Sequence, residues 1–152
     1  MVRGLYALLA VLALALPVAA TATGSNQDAA VLREMNRVRG DHGLSELRFD
    51  EHLQRAAVAH SGEMLASNVF THGAFGSRLL QFNVQSSIAG ENLAWGTGRQ
   101  GTARAIVAAW LASPEHRANL LRPSFNRVGV GALTGRFLGH RGALVVTADF
   151  AG

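Results

Sequence analysis

The chain has 152 residues, 49% of them hydrophobic, and a formal net charge of +4. This length fits one domain behind a targeting segment, and the composition is typical of a packed globular domain rather than a disordered chain. The basic side chains are all arginines and are scattered along the sequence. Without a basic run interleaved with aromatic residues, nucleic-acid binding is disfavoured. Since there is no cysteine, disulfides and a lipid-anchor cysteine are both excluded.

The N-terminal segment has the pattern of a secretory signal peptide. Arg3 supplies positive charge, residues 5–16 form a short apolar stretch, and Pro17 breaks it. Small residues precede two candidate cleavage sites, after Ala20 and after Ala22. The sequence therefore predicts a signal peptide over residues 1–22 and secretion to the periplasm or the exterior, with no stable membrane span in the mature form. An uncleaved anchor is the alternative, although the apolar stretch is short for a membrane span.

Helical patterns dominate the first half of the remaining chain. Ser25 or Asn26 can cap a helix that runs to about residue 39 and ends at Gly40. Asp50 can cap a second helix over residues 51–67, which carries one apolar stripe. A short helical turn is predicted over residues 77–82.

The second half alternates between extended and helical patterns. Residues 89–95 are predicted as extended, Thr102 as the cap of a helix ending near residue 112, and Ser113 as the cap of the next helix, with Pro114 at its first position. The C-terminal part alternates apolar and small residues on both sides of a Gly-rich turn, which predicts a hairpin. Helices followed by strands indicate an α+β fold, with helices packed on a small antiparallel sheet.

The apolar positions on these periodic faces predict the core. We expect it to contain the following residues: Phe49, Leu53, Ala57, Met64, Trp110, Val128, Val130, Val146 and Phe150. His60 lies on the stripe of the second helix and is interpreted as a buried histidine with a hydrogen-bond partner. Residues 96–101 match G-x-G-x-x-G, but no parallel strand follows, so a loop is predicted rather than a dinucleotide site.

The candidate functional residues are His72, Glu91 and His116. None of them has the local spacing of a metal motif. Each is predicted at a loop or helix start near an aromatic residue, and ligand sites are common in such places. The alternatives are solvent-exposed histidines and a structural glutamate.

Four segments, taken in order, resemble the CAP superfamily, which groups cysteine-rich secretory proteins, antigen 5 and pathogenesis-related proteins. These segments are Phe70-Thr71-His72, residues 89–96 (AGENLAWG), residues 110–121 (WLASPEHRANLL) and residues 128–131 (VGVG). The similarity is greatest to the secreted bacterial branch and covers residues 31–150. A CAP (SCP-like) domain is accordingly expected over residues 27–152, behind the signal peptide.

The resemblance implies a three-layer α-β-α sandwich with a surface cavity lined by two histidines and acidic residues. By motif position, His72, Glu91 and His116 match three of these cavity residues. Members outside bacteria place a second acidic residue shortly after the helix tryptophan. Residues 111–113 of this chain are not acidic, so Glu115 is the candidate substitute. The family's usual disulfides are absent.

Two functions are compatible with this resemblance. One is a non-catalytic secreted binding module, most simply a monomer, whose cavity takes a lipid or cell-envelope ligand. It would also take a weakly bound divalent metal such as Zn²⁺ on His72, Glu91 and His116, since imidazole and carboxylate are zinc ligands. The alternative is an extracellular hydrolase that depends on a metal or carboxylate and uses the same three residues. The lack of an evident nucleophile favours the binding module; a purely structural envelope protein is a third class.

Overall fold

The computed structural model describes the chain from residue 21 to residue 152, and the side chains from residue 26. The predicted signal peptide, residues 1–22, therefore lies outside the described residues except for Thr21 and Ala22. The elements are α1 (Thr21–Asp41), β1 (Arg48–Phe49), α2 (Glu51–Ser67), α3 (Phe75–Gln81), β2 (Ala89–Gly96), a 3₁₀ helix (Gly98–Gly101), α4 (Ala103–Ala112), α5 (Pro114–Leu120), β3 (Arg127–Phe137) and β4 (His140–Ala151).

The sheet has four strands in the order β1-β3-β4-β2. The hairpin strands β3 and β4 pair antiparallel, and β4 also pairs antiparallel with β2 along that strand's whole length. The two residues of β1 pair in parallel with the start of β3, so the sheet is mixed where a purely antiparallel one was expected. Strands β1 and β2 consequently lie at opposite edges of the sheet.

Helices cover both faces of this sheet, which confirms the three-layer α-β-α arrangement. On β4, Leu144, Val146, Ala148 and Phe150 pack with α1 and α4 in one apolar cluster. The intervening side chains face α2 and α3, where Val145 and Ala151 join two smaller clusters. Because side chains of a strand alternate between its faces, a central strand covered on both sides is buried at nearly every position.

Sequence capping signals locate two helices correctly. The Asp50 carboxylate accepts the N–H groups of His52 and Leu53 at the start of α2, which has the predicted bounds. The Thr102 hydroxyl accepts the N–H of Ala105 at the start of α4.

The first helix differs from the prediction. It begins by Thr21 rather than after Ser25 or Asn26, and it continues through Gly40 to Asp41. The residue with positive φ that follows is Gly43, not Gly40.

Eight of the nine predicted core residues are buried, but Phe49 is 60% exposed. Phe49 lies in the two-residue edge strand β1, where both residues are exposed. Alternation predicts which face of a strand a residue occupies, but not whether another element reaches that face at the edge of a sheet. Trp110 is buried, and its indole Nε1 donates to Leu93 O at 2.9 Å.

Two glycines on β3 allow α2 to lie directly against the sheet. A Cβ on Gly129 would lie 2.0 Å from Leu53 C, and one on Gly131 would lie 2.3 Å from Ala57 O. Any side chain at these two positions would displace the helix backbone. The alternation of glycine and valine along β3 therefore places α2 against the glycine face, while the valines pack in the apolar cluster on the other face.

Candidate functional site

A histidine–glutamate pair lies at the β2 edge of the sheet. His72, in the loop between α2 and α3, has its Nδ1 2.6 Å from Oε1 of Glu91 on β2. Glu91 is almost completely buried, whereas the His72 side chain is 59% exposed. The carboxylate therefore fixes the orientation of an imidazole whose other edge faces solvent.

The second oxygen of Glu91 is bound by an arginine, Arg78. Arg78 on α3 donates from Nη2 to Oε2 of Glu91 and from Nη1 to the His72 backbone oxygen, the latter at 3.3 Å. Arg78 is itself buried. Both oxygens of Glu91 are therefore engaged, and Arg78 links the histidine loop to the strand.

A second buried carboxylate, Asp149 on β4, lies directly opposite Glu91 in the strand pairing. Its side chain is fully buried, and among the described residues neither of its oxygens has a hydrogen-bond partner. Oδ1 is 3.9 Å from Nη2 of Arg78. One guanidinium therefore lies beside two carboxyl groups.

The surroundings raise the pKa of both acids. Burial raises the pKa of Glu91 to about 7, although the positive charge of Arg78 opposes the shift. Burial and the adjacent negative charge of Glu91 raise the pKa of Asp149 well above its usual range. Two like charges in a site of low dielectric do not ionise independently, so protons are retained here at a pH where exposed carboxyl groups have lost them.

His60 closes the inner side of this cluster. It is buried on α2, as expected, and its Nε2 is 2.8 Å from Thr71 O and 3.9 Å from Oε2 of Glu91. Burial lowers the pKa of His60, and the positive charge of Arg78 lowers it further. A neutral imidazole that donates to a backbone carbonyl is the structural role that its helical position predicts.

His116 approaches from the opposite layer. It lies on α5, which side-chain amides tie to β2: Asn92 Nδ2 donates to His116 O at 2.9 Å, and Asn119 Nδ2 donates to Glu91 O at 3.1 Å. The imidazole is half-buried, and burial together with the nearby charge of His72 lowers its pKa. A loop and a helix that are distant in sequence thus bring His72 and His116 to the same edge strand.

Ser113 occupies the N-cap position of α5, but its hydroxyl makes no capping hydrogen bond. Its Oγ instead lies 2.9 Å from Nδ1 of His116. The predicted side-chain cap is wrong in this respect, because the histidine one turn into the helix competes for the hydroxyl. Glu115, the candidate fourth cavity residue, is exposed and makes no hydrogen bond or ion pair with the described residues.

This edge of the sheet therefore presents two imidazoles rather than free carboxylates. His72 and His116 each have Nδ1 engaged, and neither Nε2 has a hydrogen-bond partner within the described part of the chain. Residues 26–152 contain no group of three or more histidine, aspartate or glutamate side chains arranged to hold a metal ion. Glu91 is withdrawn behind His72 and is not available as a ligand in this arrangement.

Arg78 and Asp149 are the site residues that sequence reasoning missed. Asp149 is a carboxylate within an otherwise apolar strand, between Ala148 and Phe150. This signal is readable once both faces of β4 are known to be covered. Arg78 carries no comparable signal, since arginines of short amphipathic helices are ordinarily exposed.

The three-layer α-β-α arrangement is the architecture that the motif resemblance implied, and one edge of its sheet carries His72 and Glu91, with His116 nearby. The sequence matches the CAP family, described as the cysteine-rich secretory protein family, over residues 32–150. The chain belongs to this family.

Comparisons with individual proteins support the same family assignment. The chain is 38% identical over 106 residues to YkwD of Bacillus subtilis (strain 168), a match covering 66% of this chain and 40% of YkwD. An extracellular protein containing an SCP domain from Bacillus anthracis superimposes with a TM-score of 0.70 at 28% identity, over 84% of this chain and 41% of that one. This chain thus spans about two fifths of the length of both proteins.

A more distant structure shares the fold. An outer surface protein from Borrelia burgdorferi superimposes with a TM-score of 0.69 at 21% identity, covering 82% of this chain and 91% of that one. Among the described helices, none is both long and apolar enough to cross a membrane.

Proposed function

We propose that this protein is a non-catalytic binding module that acts outside the cytoplasm and takes a hydroxyl-bearing component of the cell envelope in the His72–His116 cleft. One observation carries the proposal. The cleft presents two anchored imidazoles with unengaged Nε2 atoms, while both carboxyl groups are buried beside Arg78. When Nδ1 of an imidazole is the donor, its Nε2 is an acceptor and suits a ligand hydroxyl.

The extracellular location rests on two arguments. The predicted signal peptide provides the first, and the names of the relatives provide the second, since one is described as extracellular and another as an outer surface protein. Both envelope lipids and wall polymers carry hydroxyl groups, so the chemistry of the cleft is compatible with either source.

A binding experiment with isolated envelope fractions tests the proposal. Purified protein is sedimented with cell-wall polymer or with lipid vesicles prepared from the source organism, and native mass spectrometry identifies small ligands retained from the secretion medium. We expect retention by one of these fractions and its loss in His72→Ala and His116→Ala. His42→Ala is the matched control, because His42 is exposed in the turn after α1. Equal retention of all three variants would contradict the proposal.

A weakly held divalent metal forms part of the same proposal. His72 and His116 would supply Nε2 ligands with water completing the shell, while Glu91 would act behind His72 as its hydrogen-bond partner, a common arrangement at zinc sites. With two protein ligands the ion would exchange readily, and the fold would survive chelation. Isothermal titration with Zn²⁺ tests this: wild type should bind more tightly than the double alanine variant, and binding should weaken as the solution is made acidic, since protonated imidazole does not coordinate.

Hydrolysis is the second candidate function, and the Glu91–His72 hydrogen bond is the observation that favours it. A carboxylate that orients an imidazole is half of a general-base system, and water would have to serve as the nucleophile. Release of soluble fragments from cell-wall polymer or lipid, lost in His72→Gln but kept in His42→Gln, would establish this candidate. Absence of turnover by a wild-type protein that binds the same material would leave the binding module.

A further inference from the structure

A cavity of about 350 Å³ lies at the edge of the sheet opposite to the His72 cleft. Its walls come from α1, β1 and β3, and the apolar side chains among them are Leu32, Phe49, Val128 and Val130. The volume is at the small end of the range for ligand sites. Since β1 and β2 lie at opposite edges of the sheet, this cavity shares no residue with the cleft described above.

The base of the cavity is polar because β3 continues beyond the two residues of β1. Gln54 and Asp28 replace the missing strand: Gln54 Oε1 accepts the N–H of Val130 at 2.8 Å, and Asp28 Oδ1 accepts the N–H of Ala132 at 2.7 Å. Gln54 Nε2 donates to Asp28 Oδ2 at 2.8 Å. Each carboxylate oxygen therefore accepts one hydrogen bond and retains a second lone pair.

Asp28 is a buried carboxylate without a counter-ion. It is 8% exposed, and no basic side chain within the described residues forms an ion pair with it. Burial raises its pKa to about 6, against the effect of its two hydrogen bonds. Buried charges are ordinarily paired, so an ionised Asp28 suits a cationic ligand.

Phe49 adds a second feature that suits a cation. Its ring is 60% exposed at the outer wall of the cavity, although aromatic residues of this size are usually covered. The face of a phenylalanine ring attracts ammonium groups through its quadrupole. An anionic base, apolar walls and an open aromatic rim together complement a cation with an apolar body.

We infer that this cavity binds small organic ammonium ions, with the ammonium group on Asp28 and a short apolar body against Leu32 and Phe49. Neither His72 nor His116 lines this cavity, so the inference is independent of the proposed function. The chain contains no lysine, so none of its own side chains supplies an ammonium group.

A series of probes with one apolar body tests the inference. Hexylammonium, hexan-1-ol and hexanoate are titrated into ¹⁵N-labelled protein, and the amide shifts of Val130 and Ala132 report occupancy. We expect saturable shifts with hexylammonium, and binding of hexan-1-ol and hexanoate that is weaker by at least about tenfold, the effect of losing one charge-assisted hydrogen bond. No saturation with hexylammonium, or equal binding of the three probes, would overturn the inference.

Two variants and one control locate the site. Ala29→Trp fills the cavity from an exposed position on α1, and Asp28→Asn removes the charge; each should weaken hexylammonium binding by about tenfold or more. Asp41→Asn removes an exposed carboxylate from the same helix and should leave binding unchanged. Unaltered binding in Ala29→Trp would overturn the inference even if Asp28→Asn failed to fold.

Discussion

Glu91 and Asp149 lie directly opposite each other on β2 and β4, with both carboxyl groups buried and Arg78 in contact with Glu91. Like charges at directly opposed positions destabilise a sheet, and burial increases the penalty. The pair is tolerated because its acids retain protons, and protonation thereby links the stability of the domain to pH.

The first prediction concerns that linkage. Glu91 and Asp149 have pKa values raised in the folded state, so the folded chain binds more protons than the unfolded chain above about pH 4. Their contribution to stability is complete below that pH and is lost as the pH rises, through about pH 7 for Glu91. Asp149→Asn removes one of these groups, so its free energy of unfolding relative to wild type should increase between about pH 4.5 and 7.5.

Urea denaturation at the two pH values measures this difference, with Asp41→Asn as the exposed control on α1. A difference between Asp149→Asn and wild type that stays constant with pH would show that Asp149 titrates normally in the folded protein.

The second prediction concerns Trp110. Trp110→Ala should lower the free energy of unfolding by about 3–5 kcal/mol, because it leaves a large cavity and an unpaired Leu93 carbonyl. Trp110→Phe keeps most of the volume and should cost less. A loss below about 1 kcal/mol for Trp110→Ala in denaturant melts would contradict the buried position of the indole.

The third prediction separates two serine/threonine positions that look alike in sequence. Thr102→Ala removes a capping hydrogen bond and should cost about 1 kcal/mol. Ser113→Ala removes no such bond and should cost less, while changing the NMR titration of His116, whose Nδ1 it contacts. Equal losses of stability in the two variants would show that Ser113 caps α5 after all.

The fourth prediction concerns the contact between β3 and α2. Gly131→Ala places a Cβ 2.3 Å from Ala57 O and should destabilise the protein by about 1–3 kcal/mol or more, because backbone must move. Gly76→Ala is the matched control: this glycine lies in α3 with nothing within 4 Å of its Cβ position, so the change should be neutral or stabilising. Thermal denaturation of both variants measures this difference in stability.

The fifth prediction concerns processing. N-terminal sequencing of the exported protein should begin at Thr21 or Thr23, as the small residues before these positions indicate. Cleavage after Ala20 would leave the described part of α1 whole, whereas cleavage after Ala22 would remove Thr21 and Ala22 from it. A soluble cytoplasmic form that retains Met1 would contradict export.

Local patterns in the sequence account for most of the fold. Caps at Asp50 and Thr102 and alternation in the hairpin depend on neighbours close in the chain, and these predictions are confirmed. The exposure of Phe49 and the missing cap at Ser113 depend on what lies beside them in space. Local pattern does not contain that information.

The residues of the candidate site also fall into those that the sequence identifies and those that only the structure shows. Motif order identified His72, Glu91 and His116, and the structure brings His72 and Glu91 into contact with His116 nearby. The partners that determine the chemistry of Glu91 come from other elements, Arg78 from α3 and Asp149 from β4. Glu115 is the candidate substitute acidic residue because it is next to His116 in the sequence. Adjacent residues of a helix point in different directions, so that proximity does not place both side chains in one site.

The position of β4 in the chain has a consequence for synthesis. This strand pairs with both β2 and β3, yet it follows every other strand in the sequence. While the chain emerges from a ribosome or a translocation channel, β2 and β3 remain without their shared partner. The sheet forms only when β4, the last strand, has emerged. A nascent chain that cannot complete its sheet early stays unfolded and can pass through a translocation channel. A truncation that removes β4 would leave β2 and β3 each with an unpaired edge, and the domain would not form.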